Sequence, residues 1–338
     1  RRRSPATEKA RPIGKRRDYA NKVSLKREFE TCEVDLSSAS DAMKKVFAEL
    51  KATRRLDVRS VQTAISPLVD SVLRNSEAMA ALVRMKSKGE YLYNHSLANA
   101  VWAAVLGRHL GLERATLLRL ALGAALLDVG MASIADEITY APEILSEEAM
   151  ARVREHVRGG LDLLRASDDL HPDVLEIVAS HHERHDGSGY PAGLTGLDIP
   201  LLGRLAGLVD SYDAMITARP HAQARSSFEA MQELADLKDS LFQGELVEQL
   251  MQAIGLFPTG AVVELNSGEV GVVVQQNASR RLRPKVVVVL DAQKKRHRKL
   301  IVLDLAKYVS ENENQSDLWI SRELEPGAHG LHPDEYFL

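Results

Sequence analysis

Cysteine is nearly absent from this chain. Cys32 is the only one, so no internal disulfide can form, and the usage fits a reducing cytoplasm. Charge of one sign is also in short supply: the net charge is −3, which argues against bulk electrostatic binding to DNA or to an anionic membrane. No apolar run approaches the ~20 residues that span a bilayer. The richest stretch, Leu120 to Leu127, is short and ends in Asp128. An initiator Met is missing too. The chain opens Arg1-Arg2-Arg3-Ser4-Pro5, basic and without an apolar core, so it is no secretory signal and reads as a linker left when a larger protein was trimmed. What remains is ordinary for a globular protein, with 45% hydrophobic and 27% charged residues. At 338 residues, two units with a shared or adjoining core are expected.

Residues 1–34 are polar and offer too little apolar burial to offset ordering entropy, so they are expected to be a disordered linker. Helical periodicity then dominates. Val46, Phe47 and Leu50 give one apolar face, and Val61, Ile65, Leu68 and Val72 another, with Pro67 expected to start or kink its helix. These belong to an N-terminal helical region, residues 35–89, whose apolar positions suit either a homodimer surface or packing within the chain. A larger helical domain follows at 90–257. It includes a long helix near Tyr91 to Leu110, one from Ser146 to about Ala166, and one over Phe228 to Leu256. After Pro258 the pattern turns to strands around Val262, Val272, Val286 to Leu290 and Leu300 to Leu303. Four short strands predict a small β-barrel-like subdomain at 258–310, leaving 311–338 as a loose tail.

Two β connections are strongly basic, Arg280-Arg281-Leu282-Arg283 and Lys294-Lys295-Arg296-His297-Arg298-Lys299. No aromatic residues are interleaved with them, so they read as solvated turns guarding strand edges rather than as a specific nucleic-acid surface.

The chemistry concentrates in His181-His182-Glu183-Arg184-His185-Asp186-Gly187-Ser188-Gly189-Tyr190-Pro191. Two adjacent histidines, nearby acids and a glycine-rich turn can hold a metal beside a substrate-shaping loop. Further candidates are His95 in Tyr93-Asn94-His95-Ser96, Asp128 in Leu126-Leu127-Asp128-Val129-Gly130-Met131, His156 in Glu155-His156-Val157, and Asp210 in Val209-Asp210-Ser211-Tyr212-Asp213. Each has a plain alternative when taken singly. His95 and His156 suit polar helix surface, Asp128 suits a cap for the turn after it, and Asp210 suits a partner for Arg204.

This ordered set resembles the HD-GYP family, metal-dependent phosphodiesterases that linearise cyclic di-GMP. The resemblance covers roughly Tyr91 to Leu256. It implies a mainly α, HD-type helical bundle, with the extension and small β unit described above on either side. It also implies two divalent ions, iron or manganese first and zinc next, bridged by Asp128. One would see Asp128, His156, His181 and His182; the other would see His95, Asp128 and Asp210. Gly187, Gly189, Tyr190 and Arg219 match substrate-binding positions, and the Gly-Tyr-Pro loop implies docking onto GGDEF-type diguanylate cyclases.

The chain departs from the family where chemistry is concerned. Leu127 stands where the paired His should be, Met131 replaces a phosphate-supporting Lys, and Ala222 replaces a second basic group. A leucine cannot ligate, so one strong metal site and one weak or empty site are expected. The favoured reading is a cytoplasmic signalling protein with weak or absent phosphodiesterase activity. The alternative is an active cyclic di-GMP phosphodiesterase releasing the linear dinucleotide or GMP.

Overall fold

The computed structural model describes residues 17–85, 91–139, 146–167, 170–218, 223–277, 280–308, 317–325 and 327–337. Ser24 opens the first helix, its hydroxyl accepting the Arg27 amide hydrogen at 3.4 Å. This helix, α1, runs Leu25–Thr53 and buries Glu28, Cys32, Leu36, Ala39, Met43, Val46 and Leu50. Steps of three or four residues put that whole stripe on one face.

The chain is therefore helical well inside the segment expected to be a linker. The polar look of that segment is misleading because Glu28 is a core residue. Its carboxylate accepts from the Arg74 guanidinium at 2.8 and 3.0 Å and from the Ser71 hydroxyl at 2.8 Å, which offsets the cost of burying it. Cys32 lies beside Ser71, sulfur to oxygen 3.0 Å. Burial pushes its thiol up to about 12, so at ordinary pH it is neutral and unreactive.

The remaining helices are α2 (Val58–Arg74), α3 (Ser76–Met85), α4 (Tyr91–His109), α5 (Arg114–Ala125), α6 (Asp136–Thr139), α7 (Glu147–Arg154), α8 (His156–Arg165), α9 (Pro172–Ser180), α10 (Leu201–Ile216), α11 (Ser227–Asp236) and α12 (Gly244–Ile254). One hydrophobic cluster runs through them from Cys32 to Ile254, so the N-terminal helices and the larger bundle share a core. The apolar positions before residue 90 are largely consumed by that internal packing. Pro67 lies inside α2 rather than at its start. The segment Arg114–Ser133 is long and apolar enough by composition to cross a membrane. Here it is α5 followed by a 3-10 turn over Val129–Ser133, packed against α2, α4 and α9, and its apolarity is that of a core.

Two expected long helices are broken. Residues 147–165 form α7 and α8, with the break at Glu155, and residues 227–254 form α11 and α12. In the second case Asp239 adopts φ +58° and its carboxylate accepts the Gly244 amide hydrogen at 2.9 Å, which starts a new helix.

The C-terminal unit is an antiparallel sheet of β1 (Val262–Leu265), β2 (Val270–Gln275), β3 (Lys285–Leu290), β4 (Arg296–Asp304) and β5 (Ile320–Leu324), ordered β4-β3-β2-β1-β5. It is an open sheet of five strands where four in a barrel-like arrangement were expected. The extra strand comes from the tail and pairs with β1. Val263, Val273, Val286 and Val288 pack on one face, and Val262, Val272, Val287 and Val289 on the other. Burial on both faces explains the unbroken valine run in β3. Leu331 joins the second face, and Phe337 stacks on Phe29 of α1 at 5.2 Å between centroids. These two anchors tie the tail back to the body.

Candidate metal centre

Five helix ends and faces converge at one point of the bundle, and glycines let them approach. Asp128 follows α5 and precedes the 3-10 turn, in which Gly130 lies flat against α8. A Cβ at Gly130 would sit 1.9 Å from the His156 carbonyl oxygen and 2.5 Å from the Gly160 nitrogen. At Gly207 in α10, a Cβ would sit 2.3 Å from the His181 carbonyl oxygen. The first contact sets Asp128 beside His156; the second sets Asp210 beside the end of α9. From the other side, Arg54 at the end of α1 donates to the Ala132 carbonyl at 2.7 Å and steadies the turn after Asp128. Gly207→Ala is expected to cost roughly 1–3 kcal/mol through overpacking and to weaken divalent-metal binding. Urea denaturation and a metal titration on the same variant check both parts.

The structure brings together all six residues expected to ligate metal. Ligand atoms of Asp128, His156, His181 and His182 lie within 4.8 Å of one another, and so do those of His95, Asp128 and Asp210. Asp128 belongs to both sets. The plain alternatives do not describe them. His95 and His156 are buried, and the Asp128 side chain makes no cap bond to the turn that follows. Asp210 accepts from Asn99 at 3.0 Å and lies 2.9 Å from His95 Nε2, while Arg204 bonds Gln243.

Tautomers follow from the backbone. His156 Nδ1 lies 2.7 Å from the Val153 carbonyl oxygen and His181 Nδ1 lies 2.8 Å from that of Val178. A carbonyl only accepts, so in the neutral rings the proton sits on Nδ1 and the lone pair on Nε2. Burial pushes the pKa of both His181 and His182 down, which keeps them neutral. The Nε2 atoms of His156 and His181 then face each other at 3.4 Å, and an Asp128 oxygen lies 3.3 Å from the first. Lone pairs converge there without a proton between them. A divalent cation fits that arrangement, and three imidazoles with one carboxylate suit iron, manganese or zinc.

The second set has fewer donors but strong support. His95 Nδ1 is 2.6 Å from Asp213, whose other oxygen accepts from the Trp102 indole at 2.9 Å. A buried carboxylate behind an imidazole orients the ring and raises its basicity as a ligand. Burial alone would push the Asp210 carboxyl up, but the His95 hydrogen bond and the surrounding histidines hold it below the usual carboxylate range. Leu127, in contrast, is 1% exposed and belongs to the helical core cluster. Met131 is half-buried in the 3-10 turn.

The Gly-Tyr-Pro loop closes over His182. Tyr190 stacks on that imidazole, with centroids 4.6 Å apart and planes 27° apart, and the Arg154 guanidinium lies 5.3 Å from the tyrosine centroid. Glu183 pins the loop from beneath, accepting the Ala192 and Leu194 amide hydrogens at 2.7 and 2.9 Å. Gly187 adopts φ +83°, and a Cβ at Gly189 would meet His182 O and Arg184 N at 2.4 Å, so both glycines shape the turn. Arg219 and Ala222 lie outside the described residues.

Comparison with known proteins agrees with this geometry. A family model for the HD domain matches residues 70–246, just over half of the chain. The chain belongs to the HD-domain family. A second match, to a KOW domain associated with the HD domain, covers residues 262–311 and hence most of the sheet. The HD-domain chain is 31% identical over 274 residues to the cyclic di-GMP phosphodiesterase PA4108 of Pseudomonas aeruginosa, covering 81% of this chain and 66% of that protein. It is 34% identical over 167 residues to the cyclic di-GMP phosphodiesterase response regulator RpfG of Xanthomonas campestris, covering 47% and 44%. A cyclic di-GMP phosphodiesterase of Thermotoga maritima is 32% identical over 148 residues, covering 44% and 40%. The chain thus spans 40–66% of the length of these three relatives. Its fold is similar to that of an HDG"Y"P protein from Bdellovibrio bacteriovorus, at a TM-score of 0.55 and 20% identity over 66% of this chain and 71% of that one. The HD-GYP resemblance and the mainly helical HD-type fold read from the sequence both hold.

Sequence reasoning passed over several residues that build the centre: Asn99, Trp102, Asp213, Glu183 and Arg154. For three of them a signal existed. Asn99 and Trp102 follow His95 by four and seven residues, and Asp213 follows Asp210 by three, so each pair shares a helix face.

Proposed function

We propose that this chain is a cytoplasmic cyclic di-GMP signalling module whose HD centre holds one divalent ion tightly, iron or manganese, and hydrolyses the dinucleotide weakly or not at all. The observation that carries this reading is the inequality of the two donor sets. Four donors surround one position and three the other, and the residue that should complete the smaller set, Leu127, is packed into the hydrophobic core. A bound divalent ion supplies Lewis-acid activation of water and phosphate, and binuclear hydrolases rely on two such ions acting together.

The chain's own residues have separable tasks in this account. Asp128 joins the two sets. Asp213 holds the proton on His95 Nδ1, so that Nε2 faces the centre. Tyr190, held in place by its stack on His182, stands beside the centre as a contact for a guanine base. Arg154 supplies a cation beside Tyr190, where Met131 supplies none to the turn after Asp128, and Arg219 is the second candidate phosphate ligand. Arg154→Ala is expected to weaken cyclic di-GMP binding by about tenfold to a hundredfold, the range for losing a charge-assisted hydrogen bond, without changing metal content. Equilibrium binding with the labelled dinucleotide measures it. The exposed side of the same loop is the proposed contact for a GGDEF-type cyclase, and Tyr190 is the residue to change there.

The competing reading is a working phosphodiesterase. It draws on the intact gathering of His95, Asp128 and Asp210, and on relatives that carry that activity by name. Incubating the purified chain with cyclic di-GMP and added manganese or ferrous ion separates the two. Slow or absent formation of linear dinucleotide is expected, and rapid cleavage would overturn the proposal.

A further inference from the structure

His185 stands in the same string as His181 and His182 but belongs to neither donor set. Its backbone is fixed twice. The amide donates to the Leu241 carbonyl at 3.0 Å, and the carbonyl accepts the Gly196 amide hydrogen at 2.9 Å. The second bond closes the loop that carries Tyr190, so His185 is the base of that loop. Its side chain lines a cavity of about 20 Å³ between this base, α10 and the start of α12. Arg204 of α10, Glu183 and Gln243 line the same cavity, and Leu208 and Phe242 supply apolar wall. Two buried polar atoms of these residues have no hydrogen-bond partner among the described residues, His185 Nδ1 and Arg204 Nε. The guanidinium meets Gln243 through Nη1 alone. Leaving such atoms buried and unpaired is costly, and folded interiors rarely do so.

We infer that this cavity is the binding site of one internal water molecule, which accepts the Arg204 Nε hydrogen, donates to His185 Nδ1, and so ties the base of the Gly-Tyr-Pro loop to the helix that carries Asp210. Size, chemistry and charge select this occupant. One water needs ~10–15 Å³, so the cavity holds a single molecule and nothing larger. Arginine Nε only donates, whereas imidazole Nδ1 accepts when the ring proton rests on Nε2. A water serves both at once, and the side-chain oxygens of Glu183 and Gln243 are acceptors for its second hydrogen. A bare cation would face the guanidinium, and an anion would face the Glu183 carboxylate. The water is a structural tether with no part in the chemistry at the metal centre. It gives a buried histidine and a buried arginine their partners, and it fixes the stem from which Tyr190 is held over His182.

High-resolution crystallography of the unmodified chain is expected to show one ordered water about 2.7–3.2 Å from both nitrogens. Oxygen-17 relaxation dispersion counts long-lived internal waters in solution. Arg204→Met, which keeps an unbranched stem and removes the donors, is expected to lower that count by one. In the same variant the Gly196 amide, bonded to the His185 carbonyl, should exchange with deuterium roughly fivefold to a hundredfold faster, the range for losing a partner of a buried polar group. His185→Leu and Arg204→Met remove the same bridge, so the double variant should lose clearly less stability to urea than the two single losses combined. Circular dichroism establishes that each variant is folded, and the crystal structure of the unmodified chain decides the matter if one is not. A direct His185–Arg204 contact or no water at this site, an unchanged water count in Arg204→Met, strictly additive losses, or an unmoved Gly196 exchange rate would each overturn the inference.

Discussion

Making Leu127→His and Met131→Lys together is expected to raise cyclic di-GMP turnover by about a hundredfold or more, the size of effect seen when a single stabiliser of developing charge is lost or regained. The two changes act on different deficits. The introduced imidazole completes the smaller donor set next to Asp128; the introduced ammonium returns a cation one turn further on. Leu127 lies in the hydrophobic core, so an imidazole there without a bound ion costs roughly 1–3 kcal/mol as a buried polar group. The thermal stability of the double variant should therefore depend on added manganese more steeply than that of the unmodified chain. Turnover and melting temperature, both measured with and without the ion, check the two halves. Two ions bound with no gain in turnover would mean that more of the pocket has changed than these two positions.

Asp128→Asn is expected to remove metal from both positions at once, because this carboxylate is shared between the two sets. Affinity should fall at least ~100-fold, beyond the usual effect of losing a residue that only supports a ligand. The fold should survive: the Asp128 side chain is partly exposed and caps nothing, so the metal-free variant should unfold within about 0.5 kcal/mol of the metal-free parent. Metal analysis by mass spectrometry and a urea titration give the two numbers. Retention of a full equivalent of ion by the variant would contradict the shared-ligand geometry.

Much of this centre was legible in the sequence because its ligands sit on helices at fixed offsets beside a long specific string. His95, Asp128, His156, His181, His182 and Asp210 are gathered as the family pattern implies, although only His181 and His182 are close in sequence. What could not be read was the support. Asp213 looks like one more helix carboxylate until Trp102 and His95 are seen to share it. Gly130 and Gly207 look like ordinary small residues until the backbones against them are known.

The fold followed the same division. Apolar periodicity located most helices, but it stopped short at the first one, because Glu28 fills a core position with charge and only Arg74, forty-six residues away, makes that tolerable. In the sheet, valine-rich runs announced the buried strands β2 and β3. The fifth strand was hidden in a polar tail, since an edge strand needs few apolar residues. Its order comes from Leu331 and Phe337, which lie beyond it.

Metal content of the chain purified without oxygen, desalted and counted against protein, tests the central claim most directly. The donor inequality leads to one divalent ion per chain, with a second binding only when added in excess and lost again on desalting. Two ions per chain surviving the same desalting would contradict it, because a set lacking its imidazole would then hold metal as firmly as the complete one.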